Sequence, residues 1–266
     1  MKPFPYQMTG ARFLAARRRG GLLDGCRVGK TLQAVLACDM IGAGRILVVC
    51  PGMARAGWER TFNAGSIMGR PVQVITSAKD KIIDAPDAIV IVSVDGTRNG
   101  HLLRALRSYQ WDVLIIDEQH FLKTPTSART KQVLSRHGLA AVADRIWFLT
   151  ATPMTKDPTD MWTMLRTVGA TQLDFEGFLN RFCNWKMGDY GPRVFSAKNT
   201  EELREMIYRH FIRRVWDDVK HEVTDTPTPD PTFSEWSLDT DASGQDEVMA
   251  ALKAMEHDGK LIGAIN

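Results

Sequence analysis

Long apolar runs are missing from this 266-residue sequence. Nothing approaches the roughly 18 consecutive apolar residues of a membrane span, so no segment is read as a transmembrane helix. The amino terminus, Met1 to Leu14, lacks the charged-then-apolar layout of a signal peptide, so the expected location is the cytoplasm, the nucleoid or the nucleus. Cysteine is sparse, and Cys26, Cys38, Cys50 and Cys183 include no pair spaced for a CxxC metal knuckle. The expectation is reduced thiols, with Cys38 and Cys50 acting as small hydrophobes in apolar runs. Internal repeats and low-complexity tracts are also missing, which excludes a solenoid or a biased linker protein.

What is there is ordinary globular material, 44% hydrophobic and 24% charged. The length allows one large domain, or one domain with an appendage. The net charge of +3 is unevenly spread. From Asp225 onward nine acidic residues face two basic ones, a balance of −7, which leaves +10 on Met1 to Thr224. A basic body suits a phosphate-backbone binder, but from charge alone a solvated basic surface is the preferred reading.

Short apolar runs read as buried parallel strands at Gly21–Asp24, Arg45–Cys50, Val72–Thr76, Ala88–Val94, Val113–Asp117 and Ile146–Thr150. Helical stretches fall between them at Lys30–Met40, Met53–Ala64, Gly100–Ser108 and Ser127–His137. That alternation predicts an α/β fold, a mainly parallel sheet with helices on both faces. Ligands of such sheets bind at the carboxyl ends of the strands. After Thr152 the pattern reads as helical, at Asp157–Val168, Phe175–Phe182 and Glu201–Arg214, with no clear strand between. Pro227, Pro229 and Pro231 mark an extended linker, and Gln245–Met255 could form one amphipathic helix. The expected organisation is a nucleotide-binding lobe over 1–170, a helical extension over 171–224 and an acidic linker and tail over 225–266.

Two motifs carry chemistry. Asp24-Gly25-Cys26-Arg27-Val28-Gly29-Lys30-Thr31 follows an apolar strand and opens an apolar-rich helix, as a phosphate-binding P-loop does. Gly29 lets the backbone approach phosphates, and the helix start offers unpaired N–H groups and a positive dipole end. Lys30 would reach the β- and γ-phosphates of a nucleotide and the Thr31 hydroxyl would ligate Mg²⁺. The strict pattern fails at Asp24, where the first glycine usually stands. The second motif, Val113-Leu114-Ile115-Ile116-Asp117-Glu118-Gln119-His120, is an apolar strand that ends in two carboxylates. Paired acids there are costly without a cation or a proton-transfer role. Asp117 would hold Mg²⁺, and Glu118 would orient or deprotonate an attacking water.

The wording of these motifs goes further than a generic P-loop protein. Asp117-Glu118-Gln119-His120 resembles the DExH box of superfamily II helicases. Lys2 to Gln7, with Gly10 and Phe13-Leu14, resembles that family's first motif, which implies that Gln7 reads adenine. Asp24 to Thr31 resembles the DEMGLGKT box of the Swi/Snf branch, whose first position is also Asp. Gly25, Cys26 and Arg27 replace its Glu-Met-Gly, so Arg27 stands where the family has glycine. Val48 to Pro51 with Trp58-Glu59 resembles motif Ia, and Ile91-Val92-Ser93 the next strand motif. Leu122 to Pro125 with Arg129-Thr130 is similar to the branch's continuation after the box. Leu149 to Pro153 is similar to motif III, and Asp160 to Trp162 with Leu165 to the helix behind it. Phe182-Cys183, Asn199, Glu202-Leu203 and Arg213-Arg214 before Asp217 and Val219 are similar to the extension of the annealing-helicase and fork-remodelling branch. The likeness covers Lys2 to Val223.

The resemblance implies the first RecA-like lobe of an ATP- and Mg²⁺-dependent DNA translocase. His120, Thr150 and Thr152 would couple the nucleotide to DNA, a duplex by the same resemblance, contacted through Arg55, Lys123, Thr124 and Arg129. It also implies a second RecA-like lobe, missing from this chain, that supplies transition-state arginines worth roughly 10³–10⁵ in rate. Weak turnover by the chain alone is therefore expected, as for a fragment or a split gene. A module that binds ATP and DNA without hydrolysis is the first alternative. A small-molecule kinase is the second, disfavoured by Gln7 and the Leu-Thr-Ala-Thr-Pro segment.

Overall fold

Alternation of side chains along apolar strands generates the core. The computed structural model describes residues 2–189 and 191–223. The proline-rich stretch and the helix expected over Gln245–Met255 lie outside the described residues. In chain order the elements begin with α1 (Pro5–Ala15), β1 (Arg19–Leu22), α2 (Lys30–Met40), β2 (Ile46–Cys50), α3 (Arg55–Gly65) and β3 (Val72–Val74). They continue with β4 (Ile89–Ser93), α4 (Gly100–Arg107), β5 (Trp111–Asp117), α5 (Ala128–Leu134), β6 (Ala143–Leu149) and α6 (Trp162–Val168). The last are α7 (Phe175–Phe182), β7 (Cys183–Gly188), β8 (Gly191–Ala197), α8 (Thr200–His210), β9 (Phe211–Ile212) and α9 (Trp216–Val219).

Seven strands form one parallel sheet in the order β3-β4-β2-β5-β6-β1-β9. Both faces are buried, because successive residues of each central strand enter opposite cores. Leu47, Val49, Val90, Val92, Leu114, Ile116, Ile146 and Phe148 pack with α4 to α7 through Leu106, Val133, Leu165 and Phe178. Their neighbours Ile46, Val48, Ile89, Ile91, Val113, Ile115 and Trp147 pack with α1, α2 and α3 through Leu14, Val35, Trp58 and Phe62. The α/β expectation with helices on both faces is met.

The region after Thr152 departs from the sequence reading, which placed no strand there. Cys183–Gly188 and Gly191–Ala197 form an antiparallel hairpin, and Phe211–Ile212 is a seventh sheet strand. The stretch read as one helix to Arg214 therefore breaks after His210. The reason lies in β1. A Cβ on Gly20 would sit 2.6 Å from the His210 carbonyl oxygen, and one on Gly21 would sit 2.1 Å from that of Phe148. Bare glycines let a strand approach from each side, and buried Phe211 takes the place beside them. β1 itself runs over Arg19–Leu22, two residues earlier than the apolar run suggested. Among the described residues, no helix is long and apolar enough to cross a membrane.

Candidate nucleotide site

Three adjacent strands, β5, β6 and β1, end side by side and deliver the acidic pair, Thr150 and the phosphate loop to one edge of the sheet. The loop leaves β1 at Leu23 and turns into α2 at Lys30. Arg27 and Gly29 both adopt the left-handed region, with φ of 64° and 78°. Glycine meets that demand freely, whereas Arg27 meets it at a steric cost of roughly 1–2 kcal/mol. The Arg27 side chain is exposed, as is Cys26. Gly29 also has no room for a side chain, since a Cβ there would lie 2.4 Å from Nε2 of Gln7. Gln7 is buried, and its Oε1 accepts the Phe4 N–H at 3.0 Å. Lys30 Nζ donates to the carbonyl oxygens of Asp24 and Gly25 at 2.8 and 3.0 Å. Thr31 is half-buried in the first turn of α2, and Val28 is buried against Tyr6 and Val219.

Asp24 is fully buried, and its partner comes from the far end of the chain. Arg214 donates from its backbone N–H and Nε to Asp24 Oδ1 at 3.0 and 3.1 Å, and from Nη2 to Oδ2 at 2.5 Å. The same guanidinium reaches Gln33 Oε1 at 2.7 Å and the Tyr6 carbonyl at 2.6 Å. An arginine fork suits such planar, multi-point bonding. Gly10 makes space for it, because a Cβ there would lie 1.7 Å from Gln33 Oε1.

The two carboxylates after β5 sit in different surroundings. Burial raises the pKa of Asp117, against a bond from Trp58 Nε1 to its Oδ2 at 2.8 Å. Burial also pushes Glu118 upward, but bonds from His120 and Thr150 and the charge of Lys30 outweigh it and hold the carboxyl below its ordinary value. Thr150 Oγ1 donates to Glu118 Oε2 at 3.1 Å, and His120 Nδ1 lies 3.2 Å from the same oxygen. Thr152 closes the network: its N–H donates to Thr150 Oγ1 at 3.1 Å and its hydroxyl lies 3.4 Å from His120 Nδ1. Glu118 also adopts a left-handed backbone, with φ of 53°, which turns its side chain back toward Thr150. Only β6 separates β1 from β5, so the P-loop and the acidic motif leave neighbouring strand ends, and the Lys30 charge acts to lower the pKa of both Asp117 and Glu118.

This donor set fits Mg²⁺ and a nucleotide. A left-handed Gly29 with no room for a Cβ, a lysine at a helix start and oxygen ligands in Thr31 and Asp117 are what a phosphate-bound magnesium uses. Among the described residues, no three His, Cys, Asp or Glu side chains cluster as a self-sufficient metal cage. Magnesium in such sites takes its remaining ligands from phosphate and water.

The four candidate DNA contacts are not gathered into one free patch. Arg55 bonds the carbonyls of Gly52 and Ile75, Lys123 pairs with Asp160 at 3.3 Å and Arg129 with Asp95 at 2.8 Å. Thr124 is exposed. Two site neighbours escaped the sequence reading. Trp58 is quoted there only within the motif Ia pattern, and it also anchors Asp117. Arg214 had been quoted only within a family pattern, although the buried Asp24 needed a cation.

The fold and loop define a RecA-like P-loop domain. A family model described as the SNF2-related domain matches residues 6–229, and the chain belongs to that family. It is 31% identical over 224 residues to the SWI/SNF-related matrix-associated actin-dependent regulator of chromatin subfamily A-like protein 1 of Bos taurus, covering 81% of this chain and 23% of that protein. The Caenorhabditis elegans homolog is 27% identical, covering 81% and 31% respectively. The mouse DNA annealing helicase and endonuclease ZRANB3 is 28% identical over 230 residues, covering 82% and 21%. The chain thus spans between a fifth and a third of these relatives' lengths. The fold matches the Sulfolobus solfataricus SWI2/SNF2 ATPase core solved with double-stranded DNA, with a TM-score of 0.68 at 21% identity over 85% of this chain and 47% of that one. The resemblance to the Swi/Snf and annealing-helicase branch, and the RecA-like architecture, therefore hold.

Proposed function

We propose that the chain binds ATP with Mg²⁺ and hydrolyses it under the stimulation of DNA, as the first lobe of a Swi/Snf-type translocase. The observation that carries this reading is the meeting of Lys30, Asp117 and Glu118 at one sheet edge, with Glu118 bonded to Thr150 and His120. Lys30 exchanges its loop carbonyls for β- and γ-phosphate oxygens. The N–H groups of the loop from Cys26 to Thr31 cradle the phosphates, and Gln7 sits beside Gly29 to read the base. Thr31 and Asp117 hold Mg²⁺, which neutralises charge on the phosphates when bound. Glu118, kept ionised, accepts a hydrogen bond from the attacking water and orients it. Its depressed pKa favours orientation over complete proton removal. Through Thr150 and His120 any displacement of Glu118 reaches Thr152 and the segment behind β6.

DNA is read as a duplex bound through its phosphates, and a second RecA-like lobe, from the same gene product or a partner, supplies the transition-state arginines. Exposed Thr124 beside Lys123, and Arg129 on α5, support a phosphate-tracking face, once Asp160 and Asp95 release their partners. Relatives named as a chromatin regulator and an annealing helicase support action on DNA, in the nucleus or on a nucleoid.

The test is ATP hydrolysis with and without duplex DNA, alongside an MgATP titration, on the wild type, Lys30→Ala and Glu118→Gln. Lys30-dependent binding with DNA-stimulated turnover that both variants lose supports the proposal. Lys30-dependent binding without turnover, even with DNA, favours the non-hydrolysing module. A folded chain that binds no nucleotide sinks the reading.

A further inference from the structure

The chain beyond β9 grips the phosphate loop more tightly than packing requires. Arg214 engages Asp24 and Gly25 through main chain and side chain together. Its N–H and guanidinium hold the Asp24 carboxylate, and its carbonyl accepts the Gly25 N–H at 2.7 Å. Asp24 is therefore pinned at both ends, by Arg214 on the carboxylate and by Lys30 on the carbonyl oxygen. Four residues further along the loop, Val28 is buried against Val219 of α9, with Trp216 and Val223 alongside. The two contacts bracket the loop's exposed tip, Cys26 and Arg27. Both contacts come from one segment, residues 214–223, and Tyr6 and Gln33 complete the surround from α1 and α2.

The same guanidinium joins the remaining pieces of the site. It bonds the Tyr6 carbonyl, adjacent to Gln7, and Gln33 on the helix that Lys30 opens. Gln33 in turn donates to Asp24 Oδ2 and to the Val28 carbonyl at 3.3 and 3.2 Å. The result is a closed network in which the Asp24 carboxylate accepts four donors and every partner touches either the loop or the helices flanking it. A left-handed Arg27 in the middle of the loop needs such external anchoring, because the sequence there does not favour the conformation.

We infer that Arg214 is a positioning residue of the phosphate loop, and that residues 214–223 form a strap that sets the loop's shape and hence its affinity for nucleotide. The affinity half of this inference rests on the ATP reading above. The shape half does not. A displacement of the chain leaving β9 pulls Asp24 and Gly25 directly, so the strap transmits movement of that segment to the phosphates. Arg214 touches no nucleotide atom in this scheme and acts through Asp24.

The test uses the full chain as wild type, Arg214→Lys, and the double variant Asp24→Asn with Arg214→Gln. Three readouts are taken: thermal melting, hydrogen exchange of the amides from 25 to 31, and the dissociation constant for MgATP. The double variant removes both buried charges together, so its melting temperature is expected to stay near the wild type. Its loop amides are expected to exchange about tenfold faster, as in a locally opened segment. MgATP affinity is expected to fall roughly 10–100-fold, the usual loss when a supporting partner is removed. Arg214→Lys keeps the charge but not the planar fork, and an intermediate loss is expected. Should the double variant fail to fold, the lysine variant decides by the same readouts. Wild-type loop protection in a folded variant overturns the inference. Faster loop exchange with unchanged MgATP affinity overturns its affinity half. A wild type that binds no MgATP overturns the ATP reading, while the exchange arm still decides whether the strap sets the loop.

Discussion

Trp58→Phe removes one hydrogen-bond donor from a buried carboxylate and leaves the rest of the site in place. The indole is 1% exposed and donates to Asp117 Oδ2 at 2.8 Å. Burial raises the Asp117 pKa above its ordinary 3.8, and the indole bond opposes that rise. A folded-state pKa above the unfolded one means that stability is full below the unfolded value and is lost as pH rises through the folded value. Loss of the indole donor raises the folded value further, so the bond's share of the penalty appears only where Asp117 is ionised. A hydrogen bond to a charged group contributes about 1.5–3 kcal/mol, against about 0.5–1.5 for a neutral pair. Asp117→Asn supplies the neutral comparison. Urea unfolding of the wild type, both single variants and the double at about pH 7.5 should give a coupling on the order of 1–1.5 kcal/mol, the difference between those ranges. Loss of packing is common to both backgrounds and cancels. The wild-type-to-Trp58→Phe gap should narrow as pH falls through the raised Asp117 value. A coupling within about 0.3–0.5 kcal/mol of zero, the limit for independent sites, together with a pH-independent gap, refutes the argument.

Other outcomes follow from the same geometry. Burial pushes Asp160 upward, yet bonds from Thr155 and Lys156 and the charge of Lys123 leave its pKa below 3.8, so its stabilisation is present above that value and lost as pH falls through the depressed one. Asp160→Asn should therefore cost about 1.5–3 kcal/mol at neutral pH by denaturant titration, with the cost shrinking in acid. Gly21→Ala drives a Cβ to 2.1 Å from a backbone oxygen in the centre of the sheet. It should destabilise by about 1–3 kcal/mol or more, read as a lower melting temperature. Thiol labelling of the native protein should show one fast group, the exposed Cys26. Burial raises Cys50 to about 12, Cys183 to about 11 and Cys38 higher still, which keeps those three as unreactive thiols. MgATP should slow Cys26 labelling if the loop cradles phosphate.

Local periodicity and motif chemistry were sufficient for much of this protein. The helix Lys30–Met40 was legible to the residue, because a phosphate-loop lysine opens it and its apolar spacing runs to Met40. The strand before Asp117-Glu118 was legible because Val113 to Ile116 is a short, β-branched-rich apolar run without a polar break. The phosphate loop and the acidic strand end also named Lys30, Thr31, Asp117 and Glu118 by residue type and spacing, whereas His120 and Thr150 were named only through the family resemblance. Tertiary structure decided the rest, since it concerns partners far apart in the chain. Phe211 and Ile212 continue an apparently helical stretch, and only the gap left by Gly20 and Gly21 turns them into a strand. Trp58 looks like any core tryptophan until its indole N–H meets a carboxylate 59 residues later. Asp24 looks like a flaw in a glycine pattern until Arg214, 190 residues on, supplies its countercharge. Periodicity encodes which face is apolar. It holds no record of which buried charge will find which, because that pairing forms only once the sheet has brought the ends of its strands together.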